Sequence, residues 1–124
     1  MIGYVTIGTN DFEAAVSFYD ELLDTIGATR TFEVDNFVAW STAQSSPALA
    51  ISKPFDGQPA TVGNGVMLAI ALDSTAKVDA FHAKVMELGG SDEGAPGPRG
   101  DIFYAAYFRD LDGNKLNAFC MTHK

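Results

Sequence analysis

Tyr107-Phe-Arg-Asp-Leu-Asp-Gly-Asn-Lys-Leu-Asn-Ala-Phe-Cys120 holds two strand-like runs joined by a tight turn, the pattern of a β-hairpin. Asp110-Leu-Asp-Gly113 suits a type I turn. Leu111 stands where Pro is often favoured, Asp112 tolerates the bridge region, and Gly113 supplies the positive φ of a G1 bulge. Alternation along a strand puts Asn117, Phe119 and Met121 on one face and Leu116, Ala118 and Cys120 on the other. Two apolar faces predict a sheet covered on both sides. Asn117 is the polar exception, and its face is the place to look for a site.

Upstream, Ile2 to Gly8 is rich enough in β-branched and aromatic residues for a strand. A helix follows, with Asn10 as the expected cap and Glu13 completing a capping box. Phe12, Ala15, Val16, Tyr19, Leu22, Leu23 and Ile26 recur at helical spacing until Gly27. Ala28 to Val34, Phe37 to Thr42 and Ala48 to Lys53 read as three more strands. The Pro- and Gly-rich residues 54–65 read as a linker, and the pattern then restarts. Val66 to Leu72 is an apolar strand. Ser74 or Thr75 caps a helix whose apolar side is Val78, Phe81, Val85 and Leu88, and Gly89-Gly90 ends it. A short strand, a Gly94–Gly100 loop, the strand Ile102–Arg109 and the hairpin complete the chain. Like elements are offset by about 63 residues, the register expected of a duplicated module. The prediction is an α+β fold of two tandem βαβββ modules, about 1–53 and 66–124.

The chain of 124 residues, 47% hydrophobic, is long enough for a well-buried core. Its net charge of −8, with no basic run, argues against nucleic acid or an anionic membrane surface as a partner. Residues 1–13 carry no basic segment and reach Asn10, Asp11 and Glu13 too soon for a signal peptide, so a cytoplasmic location is expected. The single cysteine, Cys120, reads as a buried, inert thiol.

Three features together carry a family resemblance: the duplicated βαβββ order, the Asn10-Asp-Phe12…Phe18-Tyr19 helix entry and the Arg109-Asp-Leu-Asp-Gly-Asn-Lys-Leu-Asn117 hairpin. The chain resembles the vicinal oxygen chelate superfamily, which includes glyoxalase I, bleomycin-resistance proteins and extradiol dioxygenases. The likeness covers essentially the whole chain as one such domain. It implies that the strands of each module curl into a half-open barrel around a cavity, with the helices outside, and that chains pair as homodimers. In metal enzymes of this family the first and last strands of each module supply the ligands. Carried onto this sequence, those positions are Tyr4, Met67 and Asn117, with Ala50 as the first-module counterpart of Asn117. None is His, Asp or Glu, and hard divalent ions want imidazole and carboxylate, so no bound metal and no cofactor are expected. His82, on the second helix, and His123, near the end, read as surface or tail residues.

What remains is a cavity for a small-molecule ligand. Tyr4, Ala50, Met67, Asn117 and Phe119 are the expected lining, with Phe37, Trp40, Tyr104 and Tyr107 as further aromatic candidates. For Met67 and Phe119 gap-filling core is the favoured reading over site lining. Arg99 sits in the Gly/Pro-rich loop, where it could meet a substrate carboxylate, and Lys53 and Arg109 are the alternative cations. Two readings stay open. One is a metal-free binding protein of the bleomycin-resistance kind, sequestering a small aromatic or cationic compound. The other is a lyase, isomerase or dioxygenase acting on a small carbonyl or aromatic substrate, with Tyr4 as acid and Asn117 orienting a carbonyl.

Overall fold

The computed structural model describes residues 1–122. Its elements run β1 (Tyr4–Gly8), α1 (Phe12–Asp24), β2 (Thr29–Val34), β3 (Phe37–Ser41) and β4 (Ala48–Ser52). They continue with β5 (Leu68–Ala71), α2 (Thr75–Glu87), β6 (Ser91–Pro98), β7 (Phe103–Arg109) and β8 (Lys115–Met121). This is the α+β order read from the sequence, βαβββ twice. The chain divides into two compact units, Met1–Val62 and Gly63 onward.

In the first unit the strands lie in the order β1-β4-β3-β2, with β1 parallel to β4 and the other pairs antiparallel. Helix α1 buries Ala15, Val16, Phe18, Tyr19, Leu22 and Leu23 on one side. The residues beneath it are set by register: Val38 pairs with Ile51 and Trp40 with Leu49, and all four are buried. Trp40 fixes this as the helix face, since its ring lies 5.9 Å from that of Tyr19 and its Nε1–H donates to Asp20 Oδ1 at 2.9 Å. The opposite face is therefore the one holding Tyr4, Thr6, Phe37, Ala39, Ala48 and Ala50.

The helix cap falls one residue later than the sequence suggests. Asp11 is the N-cap, its carboxylate accepting from Ala14 N at 3.2 Å. Asn10 is diverted: its side chain accepts from Ala60 N at 2.7 Å and donates to Ala60 O at 3.2 Å. The middle of the Pro/Gly-rich segment is thus tied to the β1–α1 turn, within the first unit.

The second unit repeats the scheme in the order β5-β8-β7-β6, with β5 parallel to β8. Ser74 caps α2, accepting from Lys77 N at 3.2 Å, and Val78, Phe81 and Val85 are buried beneath the helix. Phe81 meets Phe108 at 5.8 Å between ring centroids, so Phe108 and its register partner Leu116 lie on the helix face. Gly90 closes the turn after α2 where no side chain fits. A Cβ there would stand 2.5 Å from Val85 Cγ1 and 2.6 Å from the Arg109 carbonyl oxygen.

The hairpin forms as read. Gly113 has φ 89°, its N–H donates to Asp110 O at 3.0 Å, and Asp110 N–H donates to Asn114 O at 3.0 Å. The Asp110 carboxylate, 6% exposed, accepts from the backbone N–H groups of Asp112 and Asn114 and from Asn114 Nδ2 at 2.9–3.0 Å. The β6 region differs from expectation. Residues 94–98, read as a loop for their Gly and Pro content, belong to the eight-residue strand β6, which pairs with β7 through two register shifts. As the outer strand of its sheet, β6 tolerates the missing Pro donors and the bulges that Gly allows.

Candidate functional site

On the helix-free face of the first unit, three aromatic side chains stand close together. Tyr4 and Phe37 meet at 6.0 Å with their planes 83° apart, and Phe32 and Phe37 at 5.9 Å with planes 73° apart. Strands β1, β3 and β2 carry them, and Ala39 and Ala48 form a floor of small residues between: Ala39 pairs in register with Phe32, and Ala48 with Tyr4. Above that floor is a cavity of about 350 Å³ whose walls include Tyr4, Phe32 and Phe37 and, as polar groups, Thr31, Ser41, Gln44 and Ser46. A second cavity, of about 490 Å³, shares the three rings and adds Asp35, Lys53 and Phe55. Tyr4 and Phe32 remain 62% and 56% exposed, far more than apolar rings in a core.

On the helix-free face of the second unit, Asn117 pairs in register with Tyr107 on one side and Ala69 on the other, and Phe119 pairs with Ala105 and Ala71. Asn117 is 2% exposed, and its Oδ1 is buried without a hydrogen-bond partner. Phe119 stacks on Phe103 at 5.2 Å. Tyr107 lies under two cations, with the Arg99 guanidinium carbon 5.5 Å and Lys115 Nζ 5.7 Å from its ring centre.

Sorting the expected lining by these faces leaves Tyr4, Phe37 and Ala50 together in the first unit, and Asn117, Phe119 and Tyr107 together in the second. Ala50 is fully buried and is not among the residues that line the cavity. Met67 precedes β5 rather than lying within it and is 42% exposed. Trp40 is corrected: its hydrogen bond to Asp20 holds it on the helix side. Tyr104 is corrected likewise, its hydroxyl donating to Asp79 Oδ1 on α2 at 2.7 Å. Arg99 follows β6 directly, in the short connection to β7. Its guanidinium donates to the carbonyls of Gly97 and Ala95, both at 2.8 Å, and so folds back along the preceding strand rather than reaching out. Arg109 binds Glu93 at 3.1 Å and Gly113 O at 2.9 Å. His82 is not a bare surface residue, since its Nε2 lies 2.8 Å from Asp92 Oδ1 and its ring edges against Phe108. His123 lies outside the described residues. Sequence reading missed Phe32, Thr31, Ser41, Gln44 and Ser46. The facing of Phe32 had no signal in the sequence, because a register shift between Arg30 and Phe32 breaks simple alternation along β2.

The shifted ionisations lie on the helix sides. The Arg30 guanidinium, bidentate to Asp20, holds that carboxyl below its usual range, and burial partly opposes it. Asp92 is held low by His82 and by the Gly94 N–H. Hydrogen bonding to Asp79 raises the Tyr104 phenol above its usual value. These are ties between helix and sheet, each an acceptor or donor already engaged, and they leave no free acid–base pair among them.

The four positions that would hold a metal in the enzymes this chain resembles are Tyr4 and Ala50 in the first unit and Met67 and Asn117 in the second. They offer a phenol, a thioether and an amide, and Ala50 offers only a methyl group with no donor atom. No anionic group neutralises a divalent cation there, and no cluster of three His, Cys, Asp or Glu suited to a metal occurs among the described residues. The residues present do not fit a divalent metal.

The glyoxalase/bleomycin resistance protein/dioxygenase superfamily model matches residues 1–118. A crystal structure of a glyoxalase/bleomycin resistance protein from Albidiferax ferrireducens is similar at 39% identity and a TM-score of 0.87, covering 97% of this chain and 98% of that one. A lactoylglutathione lyase from Agrobacterium tumefaciens, at 21% identity and a TM-score of 0.70 with coverage of 97% and 92%, shares the fold. So does a glyoxalase/bleomycin resistance protein/dioxygenase family enzyme from Burkholderia phytofirmans, at 18% identity and 0.76 with coverage of 95% and 96%. No curated protein matches the chain. With a family match across nearly its whole length and a relative of the same architecture, the chain belongs to the glyoxalase/bleomycin resistance protein/dioxygenase superfamily.

Proposed function

We propose that this protein binds a small organic molecule without a metal, in the manner of sequestration by bleomycin-resistance proteins, and that its ligand sits on the helix-free face of the first unit. The observation carrying this reading is the cavity walled by Tyr4, Phe32 and Phe37 above a floor that includes Ala39 and Ala48. Large apolar rings left exposed around a hollow, with hydroxyl and amide groups beside them, are what a small-molecule site offers. The poor donor set at the family's metal positions favours binding over Lewis-acid chemistry. Calorimetric titration against a panel of small aromatic compounds tests it, with Tyr4→Ala and Asn117→Ala as paired variants. Binding lost in Tyr4→Ala is expected. If no compound binds and neither variant changes anything, the reading fails.

The enzyme reading, a lyase, isomerase or dioxygenase acting on a small carbonyl or aromatic substrate, draws on family membership and on the Tyr4 hydroxyl at the cavity wall as a proton donor. Turnover of an α-ketoaldehyde–thiol adduct, abolished by Tyr4→Phe, would establish it in place of simple binding. A homodimer working in the cytoplasm completes the proposal; among the described residues no helix is long and apolar enough to cross a membrane. A monomer mass by sedimentation at micromolar concentration overturns the dimer.

A further inference from the structure

We infer that the ligand of the first-unit cavity is an uncharged, planar aromatic compound carrying a hydroxyl or carbonyl edge; this rests on the small-molecule reading above and narrows it. Three observations carry the inference. First, the ring planes of Tyr4 and Phe32 each stand close to perpendicular to that of Phe37. A flat guest lying parallel to one ring is therefore edge-on to its neighbour, so both favourable aromatic geometries are met at once. Second, the residues lining this cavity include no Asp, Glu, Lys, Arg or His. Its polar groups are the hydroxyls of Tyr4, Thr31, Ser41 and Ser46 and the amide of Gln44, which pair with neutral donors and acceptors. Third, the charged groups Asp35 and Lys53 line instead the neighbouring cavity, which shares the three rings.

A charged guest in the first cavity would give up hydration with no opposite charge to pair with. For an anion that loss adds to repulsion from a protein of net charge −8. For a cation the same net charge helps little, because salt screens charges that lie farther off than about 8 Å. Contact with exposed ring faces does not replace a carboxylate in the wall. A neutral ring system surrenders little water and gains stacking, and one polar edge reaching Gln44 or Ser46 fixes its orientation.

The test uses three probes of one shape: 2-naphthol, neutral near neutral pH, 2-naphthoate and 2-naphthylmethylammonium. Each is titrated into the intact protein while backbone and side-chain amide resonances are followed by NMR. The expected result is that 2-naphthol shifts Thr31, Gln44 and Ser46, that Phe32→Ala weakens it, and that both charged probes bind about tenfold or more weakly there. Phe32 is on the exposed outer strand, so its removal leaves the core intact. If either charged probe binds these residues as tightly as 2-naphthol, the ligand class is overturned while the small-molecule reading stands. If none of the three moves these residues, the cavity is not a binding site and both fall.

Discussion

The indole N–H of Trp40 donates to the Asp20 carboxylate at 2.9 Å, which joins β3 to α1 on the face of the sheet opposite the cavity. The same carboxylate receives Arg30 of β2 at 2.6 and 3.0 Å, so one acid anchors two strands beneath the helix. Trp40→Phe should therefore lower stability without touching ligand binding. The lost hydrogen bond to a partly exposed carboxylate, together with the smaller ring, predicts about 1–2 kcal/mol. Urea denaturation followed by circular dichroism measures it. Unchanged affinity for any ligand of the first-unit cavity confirms that Trp40 belongs to the helix side.

Acid should weaken the same anchor. Pairing with Arg30 lowers the folded-state pKa of Asp20, so its stabilising contribution is fully present above the unfolded carboxyl value of about 3.9 and disappears as pH falls through the lower folded value. Asp20→Asn removes this titration while keeping an acceptor for Trp40. The stability difference between wild type and Asp20→Asn should hold constant from neutral pH to about pH 5 and then shrink in more acidic solution. A difference independent of pH across that range would mean the pair contributes nothing. Asp92 and Asp73 are lowered in the same sense by His82 and Lys77, so the comparison with the Asn variant, rather than the wild-type curve alone, isolates Asp20.

The hairpin was legible because three signals agree in one short span: alternation in β7 and β8, the Asp-Leu-Asp-Gly turn, and a glycine where φ must be positive. The facing of Trp40 and Tyr104 was not, because both faces of these strands are apolar and alternation alone does not say which one a helix covers. A subtler signal was present in the first unit. The helix face carries Val38, Trp40, Leu49 and Ile51, whereas the opposite face carries Ala39, Ala48 and Ala50, small residues that leave room above them. Strand β6 was illegible for a different reason. Gly94, Pro96, Gly97 and Pro98 have the composition of a loop, and only pairing with β7 across the sheet makes them a strand. Arg99 then comes directly after a strand, and its donors turn back to the carbonyls of that strand.

The turn acid Asp110 offers a sharp test of local structure. Its buried carboxylate accepts hydrogen bonds from residues 112 and 114, two of them from backbone N–H groups of the turn. Asp110→Ala is expected to cost about 2–4 kcal/mol, since it strands buried donors rather than merely deleting an exposed charge. Asp110→Asn keeps one acceptor and should cost less. Equal losses in the two variants would show that water replaces the carboxylate.

Asn117 makes the opposite prediction. Its Oδ1 is buried and unpartnered, a condition that costs folding free energy. Asn117→Leu, of similar size and flanked by Tyr107 and Ala69, should raise stability by about 1 kcal/mol in urea denaturation of the ligand-free protein. A fall of that size instead would mean that the oxygen is satisfied in solution by a bound group or an ordered water.

Metal affinity is the prediction that separates this chain most directly from metal-dependent members of its superfamily. Tyr4, Ala50, Met67 and Asn117 provide no imidazole and no carboxylate, so a divalent ion would lose hydration and gain only neutral, mostly weak donors. Nickel, zinc and manganese should each give no stoichiometric heat on calorimetric titration, and chelator treatment should leave both stability and ligand binding unchanged. Asp92 and His82 sit close together on α2 and β6, so weak binding there is the background to control for; His82→Gln removes it without altering the four positions. Tight one-to-one uptake that survives His82→Gln would mean that the ligands lie elsewhere in the chain and would restore metal-assisted lyase or dioxygenase chemistry as the leading reading.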